Sequence, residues 1–299
     1  MDTNQASVQI FLDYLKFQKR YSRHTIISYE NDLKDFFGFI ESNYENLSLT
    51  QISTTLIRTW LANLKQDKIA SKSINRKIST LKSFFKYQLR KETISVSPMT
   101  TIVSLKVSKR LPSFIEEKDM DTLFQHVEFP DTWAGKTDRL MLQIFYQTGI
   151  RLSELINLKE SQIDKGYSNI KVLGKRNKER IIPINNLLLY PILEYINSKR
   201  DNVEIFDAEY LLINEKGKKL QPGYVYKKVK KYLGGVTTNE RKSPHILRHS
   251  FATHLTNKGA DINAVKELLG HSSLAATQIY THNSIEKLKD IHKKSHPKS

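Results

Sequence analysis

Pro244-His245-Ile246-Leu247-Arg248-His249-Ser250-Phe251-Ala252-Thr253-His254 is the stretch from which the rest of the chain can be read. Its apolar spacing predicts a helix over 246–258 that stops at Gly259. His245 lies three residues before Arg248, which puts both on one side of a helical turn. Arg248 is a permanent cation whose planar fork fits two non-bridging phosphate oxygens. Two other stretches set the same residue types beside glycines. Thr148-Gly149-Ile150-Arg151-Leu152-Ser153-Glu154-Leu155 closes a helix predicted over 138–148, with Leu140, Ile144 and Phe145 on one face. Leu268-Leu269-Gly270-His271-Ser272-Ser273 closes another over 264–269, so that His271 falls at a turn; a short helix from Ser273 then carries Tyr280.

Working outward, 170–173 and 180–184 read as strands flanking Gly174-Lys175-Arg176-Asn177-Lys178, a β-hairpin turn. Helices over 186–199 and 223–233 complete an α/β part that is mostly helix with one small antiparallel sheet. The first hundred residues read as four amphipathic helices. Their stripes are Val8, Phe11, Leu12 and Leu15; Ile26 to Ile40, capped by Ser22 or Thr25; Leu56 to Leu64; and Ile74 to Phe85, led in by Ser71 or Ser73. On the last of these, Lys72, Arg76, Lys77, Lys82 and Lys86 form a wet basic face able to meet phosphates. The pattern lapses between Pro98 and Pro112, which predicts domains at 1–97 and 113–299 joined by a basic linker over 98–112.

Composition narrows the classes of function. The 48 Lys+Arg against 31 Asp+Glu give a net charge of +17, split as +9 over residues 1–110 and +8 over 111–299, as expected of a protein that grips a polyanion from two sides. Without cysteine there is no disulfide, thiolate zinc site or cysteine nucleophile. No apolar run approaches the roughly 18 residues a membrane span needs, and no signal peptide opens the chain, so a soluble cytoplasmic protein is expected. His245 and His249 stand four apart, but residue 246 is isoleucine and no carboxylate completes a metal shell, which favours structural roles for His249 and His254.

At these residues the chain resembles the tyrosine site-specific recombinases, the integrase family, and above all its bacterial Xer branch. The resemblance runs through 148–155, the lysine-bearing hairpin 174–180, 245–254 and 268–280, and extends to a Ser-x-x-Thr-x-x-x-Tyr-x-x-Asp-Leu pattern at 22–33 and to Lys293-Lys294-Ser295-His296-Pro297. Arg176 stands where the family often has glycine, and Ile150 where leucine is common. The resemblance implies a SAM-like helical core-binding domain and a mixed α/β catalytic domain, together a C-shaped clamp on double-stranded DNA. It implies Tyr280 as nucleophile, Arg151 and Arg248 clamping the scissile phosphate, and His271 donating to it. Lys175 would protonate the leaving 5′ oxygen and His245 help move the proton. No metal or other cofactor is implied.

The function this implies is cutting and rejoining DNA through a 3′-phosphotyrosine, with four protomers on two sites, identical or paralogous, and Xer-type resolution of chromosome or plasmid dimers as the task, a DNA translocase being a further partner. A stripe of Ile285, Leu288 and Ile291 resembles the family's tail that docks on a neighbouring protomer. The other readings are a mobile-element or phage integrase, a monomeric type IB topoisomerase, and a non-catalytic DNA-binding module. The last is disfavoured because all six reactive positions are filled.

Overall fold

The computed structural model describes residues 3–44, 47–107, 113–174, 179–202, 204 and 207–270 of the 299. The chain divides into two compact units, Met1–Arg110 and Leu111–Ser299.

The first unit holds α1 (Thr3–Asp13), which runs on through one π-helical turn (Tyr14–Gln18), then α2 (Arg23–Asn43), α3 (Thr54–Gln66) and α4 (Ser71–Arg90). These are the four helices the apolar stripes predict. The Ser22 hydroxyl accepts the Thr25 N–H and starts α2 as expected. The start of α4 differs: Ala70 is the N-cap and offers no side-chain acceptor, while Ser71 is already helical. The core is aromatic, with Phe11 edge-on to Phe84 at 5.4 Å and Phe36 edge-on to Trp60 at 5.0 Å between ring centres. Each such buried side chain contributes about 1.5–3 kcal/mol.

One basic residue of α4 departs from the expected wet face. Lys77 is buried and bonds Asp35 and Asp32, the second at 3.2 Å. Asp32, also buried, accepts from Arg76 at 2.6 Å and from the Thr80 hydroxyl at 2.8 Å. Lys77 is thus withdrawn from the wet face of α4, whereas Arg76 remains 47% exposed, and the two together tie α4 to α2. The stretch after Pro98 packs on this same unit. Met99 and Ile102 are buried, Thr54 donates to the Pro98 carbonyl at 2.8 Å, and the Asn75 amide pairs with both main-chain groups of Leu105.

The second unit comprises α5 (Glu117–Gln125), α6 (Trp133–Thr148), α7 (Leu152–Ile156), a 3₁₀ turn (Glu160–Gln162), β1 (Ile163–Asp164), β2 (Asn169–Leu173), β3 (Glu179–Pro183), α8 (Asn186–Asn202), α9 (Pro222–Gly234), α10 (Pro244–Asn257) and α11 (Ile262–Leu269). The sheet is antiparallel in the order β1-β2-β3, with Ile170 opposite Ile182 and Val172 opposite Arg180. The sequence shows the hairpin but not β1, which is only two residues long. No helix among the described residues is long and apolar enough to cross a membrane.

Helix α6 is the axis of this unit and packs against α8 and α10. Leu140, Met141, Leu142, Ile144, Phe145 and Tyr146 are buried and only Gln143 between them is partly exposed, so it is nearly enclosed over these turns. It begins at Trp133, five residues before the periodic pattern does, and the hydroxyl of its N-cap Thr132 accepts the Gly135 N–H. Gly135 and Thr137 are buried there too, and small or polar residues leave no apolar period to read. It ends at Gly149, which is left-handed at φ +58°. A Cβ at that position would lie 2.5 Å from Phe251 and 2.7 Å from Leu269. Gly149→Ala therefore meets both the left-handed penalty and an overlap with two buried side chains. Its expected cost is about 2–5 kcal/mol, read as a lower midpoint in chemical denaturation.

Candidate active site

The left-handed turn at Gly149 matters because Arg151 follows two residues later as the N-cap of α7. Its Nη1 donates to Glu154 Oε1 at 2.7 Å and its Nη2 to the Gly270 carbonyl at 2.6 Å, while its main-chain N–H donates to Glu154 Oε2 at 2.9 Å. Arg151 and Glu154 thus form an ion pair, and Glu154 is a buried carboxylate shared with a second arginine rather than a surface partner.

Arg248 reaches the same place from α10. It is 7% exposed, and its fork donates to the Gly149 carbonyl at 2.5 Å and the Leu269 carbonyl at 2.6 Å. These carbonyls terminate α6 and α11, where the helix dipole is negative, so the cation sits where two helix ends favour it. Burial, with the nearby guanidinia of Arg151 and then Arg180, holds the Arg248 pKa well below the ordinary value.

The third arginine was not singled out in the sequence. Arg180, on β3, is 5% exposed; its Nη1 and Nη2 grip Glu154 Oε1 and Oε2 at 2.7 and 2.8 Å, and its Nε donates to the Leu268 carbonyl at 2.8 Å. Burial alone would raise the Glu154 pKa, but the fork of Arg180 and the bonds from Arg151 pull it down to about 2. A signal existed for both residues. Arg180 is two positions from Ile182 on a strand face that buries Ile170 and Val172, and Glu154 stands at the third helical position after Arg151, where a carboxylate caps a helix.

Three consecutive carbonyls at the end of α11, those of Leu268, Leu269 and Gly270, thus each accept one arginine: Arg180, Arg248 and Arg151 in that order. Gly270 makes this terminus possible. It is left-handed at φ +63°, and a Cβ there would sit 3.1 Å from the Arg180 stem. Three guanidinium groups are balanced by one carboxylate, which leaves two positive charges in excess. Such a face is built to receive a multiply bonded anion, and a phosphodiester fits it.

His245 and Arg248 share α10, with His245 exposed in its first turn and Arg248 buried one turn on. His249 is exposed; His254 is buried, with Nδ1 3.1 Å from the Tyr146 hydroxyl, and burial lowers its pKa. The structure therefore brings Arg151 and Arg248 together and places His245 on the same helix as one of them. Lys175, His271 and Tyr280, with the short helix from Ser273 and the tail stripe Ile285, Leu288 and Ile291, lie outside the described residues. No group of His, Asp and Glu among the described residues could hold a metal ion. A cleft of about 420 Å³ lined by Phe129, Lys136, Arg139, Pro191 and Glu194 contains none of the site residues.

Residues 113–287 match the family described as Phage integrase family, and residues 8–92 match the Phage integrase, N-terminal SAM-like domain. Tyrosine recombinase XerC of Listeria innocua is 38% identical over 291 residues, 97% of each chain. Tyrosine recombinase XerC of Anoxybacillus flavithermus is 34% identical over the full length of both. Among solved structures, the XerH site-specific recombinase bound to palindromic difH substrate superposes with a TM-score of 0.71 at 22% identity, covering 99% of this chain and 84% of that one. The Tn1549 transposon integrase in complex with circular intermediate DNA gives 0.72 at 18% identity, covering 94% and 98%. Both structural likenesses concern the fold.

Proposed function

The chain belongs to the phage integrase family and is a site-specific tyrosine recombinase that cuts and rejoins DNA; from that premise we propose which residues perform the reaction and which task it serves. Tyr280 is the nucleophile. Its phenolate oxygen forms a bond to the scissile phosphorus, the bond to the 5′ oxygen breaks, and the DNA is left as a 3′-phosphotyrosine with a free 5′ hydroxyl. A phenol of pKa about 10 is some three units from ionised at pH 7, a cost of about 4 kcal/mol. Arg151 and Arg248 offset it by stabilising charge on the phosphate oxygens as the pentavalent transition state forms. His271 donates to the same phosphate. Lys175 gives its proton to the departing 5′ alkoxide, which leaves poorly without an acid, and His245 helps move the proton. The covalent link conserves the bond energy, so rejoining needs no ATP.

The observation that carries this reading is the convergence of Arg151 and Arg248 on adjacent carbonyls immediately before His271, with one carboxylate for three cations. The same premise supports an Xer task. The relatives named XerC match this chain over nearly its whole length, and the XerH structure is described on difH DNA. In this reading the partner is double-stranded DNA, a single protomer cuts one strand, and four protomers, identical or paired with a paralogous recombinase, exchange two duplexes. A DNA translocase would activate that exchange.

The test is to recover, from the native genome and without added crosslinker, the DNA fragments that remain attached to the protein through denaturation. Fragments from one site beside the replication terminus are the expected result. Fragments from the ends of a mobile element would overturn the dimer-resolution task in favour of integration, and no attached DNA would overturn the enzymatic reading.

A further inference from the structure

We infer that Arg180 is a positioning residue for strand cleavage, acting through Glu154 on Arg151 and through the Leu268 carbonyl on the end of α11. The inference rests on the proposed reading that Arg151 clamps the phosphate.

The geometry separates Arg180 from the cations that meet the substrate. Its Nε, Nη1 and Nη2 are each engaged within the protein, by the Leu268 carbonyl and the two oxygens of Glu154, and its side chain is 5% exposed. Arg151 is different: it is 23% exposed and makes one side-chain bond to Glu154. A buried carboxylate attracts any cation in reach, because the interior screens the attraction weakly. Arg180 covers both Glu154 oxygens, so Arg151 shares the carboxylate rather than neutralising it alone. With Arg180 removed, Arg151 becomes the only counter-charge of a buried anion and is drawn onto Glu154, away from the phosphate.

The second contact acts on the chain that follows. Nε holds the Leu268 carbonyl, and the Arg180 stem lies under Gly270, whose missing Cβ allows that approach. His271 is the next residue. One planar side chain therefore sets both an arginine and the takeoff of the segment that leads to Tyr280. Lysine cannot replace it, because a single nitrogen cannot reach a carbonyl and both carboxylate oxygens in one plane.

The experiment uses the full-length protein and a nicked duplex carrying the genomic fragment recovered above, with single-turnover covalent capture measured at saturating protein and DNA affinity measured by gel shift. Arg180→Lys is expected to slow capture by about 10- to 100-fold while affinity stays within about threefold. In an Arg151→Ala background the same change is expected to slow capture at least about threefold less than it does alone, since the part that passes through Glu154 needs Arg151 while the part that passes through the Leu268 carbonyl remains. Wild-type capture by Arg180→Lys, or full multiplication of the two effects, would overturn the inference. A second variant guards against misfolding. Glu154→Leu with Arg180→Met replaces the buried pair by hydrocarbon, an exchange that proteins tolerate, and is expected to keep the wild-type melting temperature yet capture at least tenfold more slowly; wild-type capture by it would also overturn the inference. Failure of the underlying reading looks different: wild-type capture by Arg151→Ala alone refutes the clamp and the inference with it. Slow capture by Arg151→Ala beside wild-type capture by Arg180→Lys refutes the inference alone.

Discussion

Tyr280→Phe is expected to bind DNA within about twofold of the wild-type affinity and to form no denaturant-stable adduct with a nicked duplex. The change removes one oxygen, the atom that bonds to phosphorus, and leaves an aromatic ring of nearly the same size. Binding draws on many lysine and arginine contacts with phosphates and falls with salt whether or not the phenol is present. Capture has no such redundancy. Attack by water on the clamped phosphate would release free ends rather than a protein–DNA link, so the two products separate on one denaturing gel. The adduct is expected to fall by more than about 10⁴-fold, to the limit of detection. An adduct at wild-type level would place the nucleophile elsewhere in the chain.

Arg248→Ala carries the second-largest expected effect, a fall in capture of about 100- to 1,000-fold. The size follows from its surroundings. Arg248 is buried, it is repelled by Arg151 and Arg180, and the groups it bonds are two main-chain carbonyls rather than a carboxylate. Among the described residues no carboxylate bonds it, and the attraction of Glu154 is outweighed by burial and the two guanidinia, so much of its stabilisation falls on the bound state. Arg248→Lys is expected to lie between wild type and alanine, since it restores charge but not the fork. Circular dichroism checks that each variant is folded, and saturating protein removes any change in affinity. Unchanged capture by Arg248→Ala would take this residue out of the clamp.

Much of the architecture could be read from the sequence because it is written in local periods. The stripe from Ile26 to Ile40, the Ser22 cap and the stops at Gly149 and Gly270 all depend on residues within a few positions of one another, and the structure has them. Where local signals fade, so did the reading. The first turn of α6 buries glycine and threonine, and β1 is too short to show alternation. Lys77 looked like a surface cation because nothing nearby in sequence reveals Asp32, 45 positions away.

The candidate site divides in the same way. Arg151, Arg248 and the glycines were found from residue type and spacing, and the structure joins the two arginines at the end of α11. Glu154 reads from the sequence as a surface ion-pair partner of Arg151, and Arg180 only as a strand residue. Their meaning lies in contacts 26 and 88 residues apart, which exist only once β3, α7 and α11 are packed. Packing then changes their chemistry: burial alone would raise the Glu154 pKa, but the bonds from Arg180 and Arg151 bring it down to about 2.

The acceptors at 268, 269 and 270 belong to the polypeptide itself, and that limits what genetics can see. No codon change deletes a peptide oxygen, so scanning mutagenesis across these three positions would report on hydrocarbon packing and on the glycine while leaving the anchor for all three guanidinia intact. Comparison of protein sequences has the same blind spot, since it registers side chains alone. Chemical synthesis does not: an ester link in place of a single amide weakens one oxygen as an acceptor, and placed at each of the three in turn it would weigh the tethers one at a time.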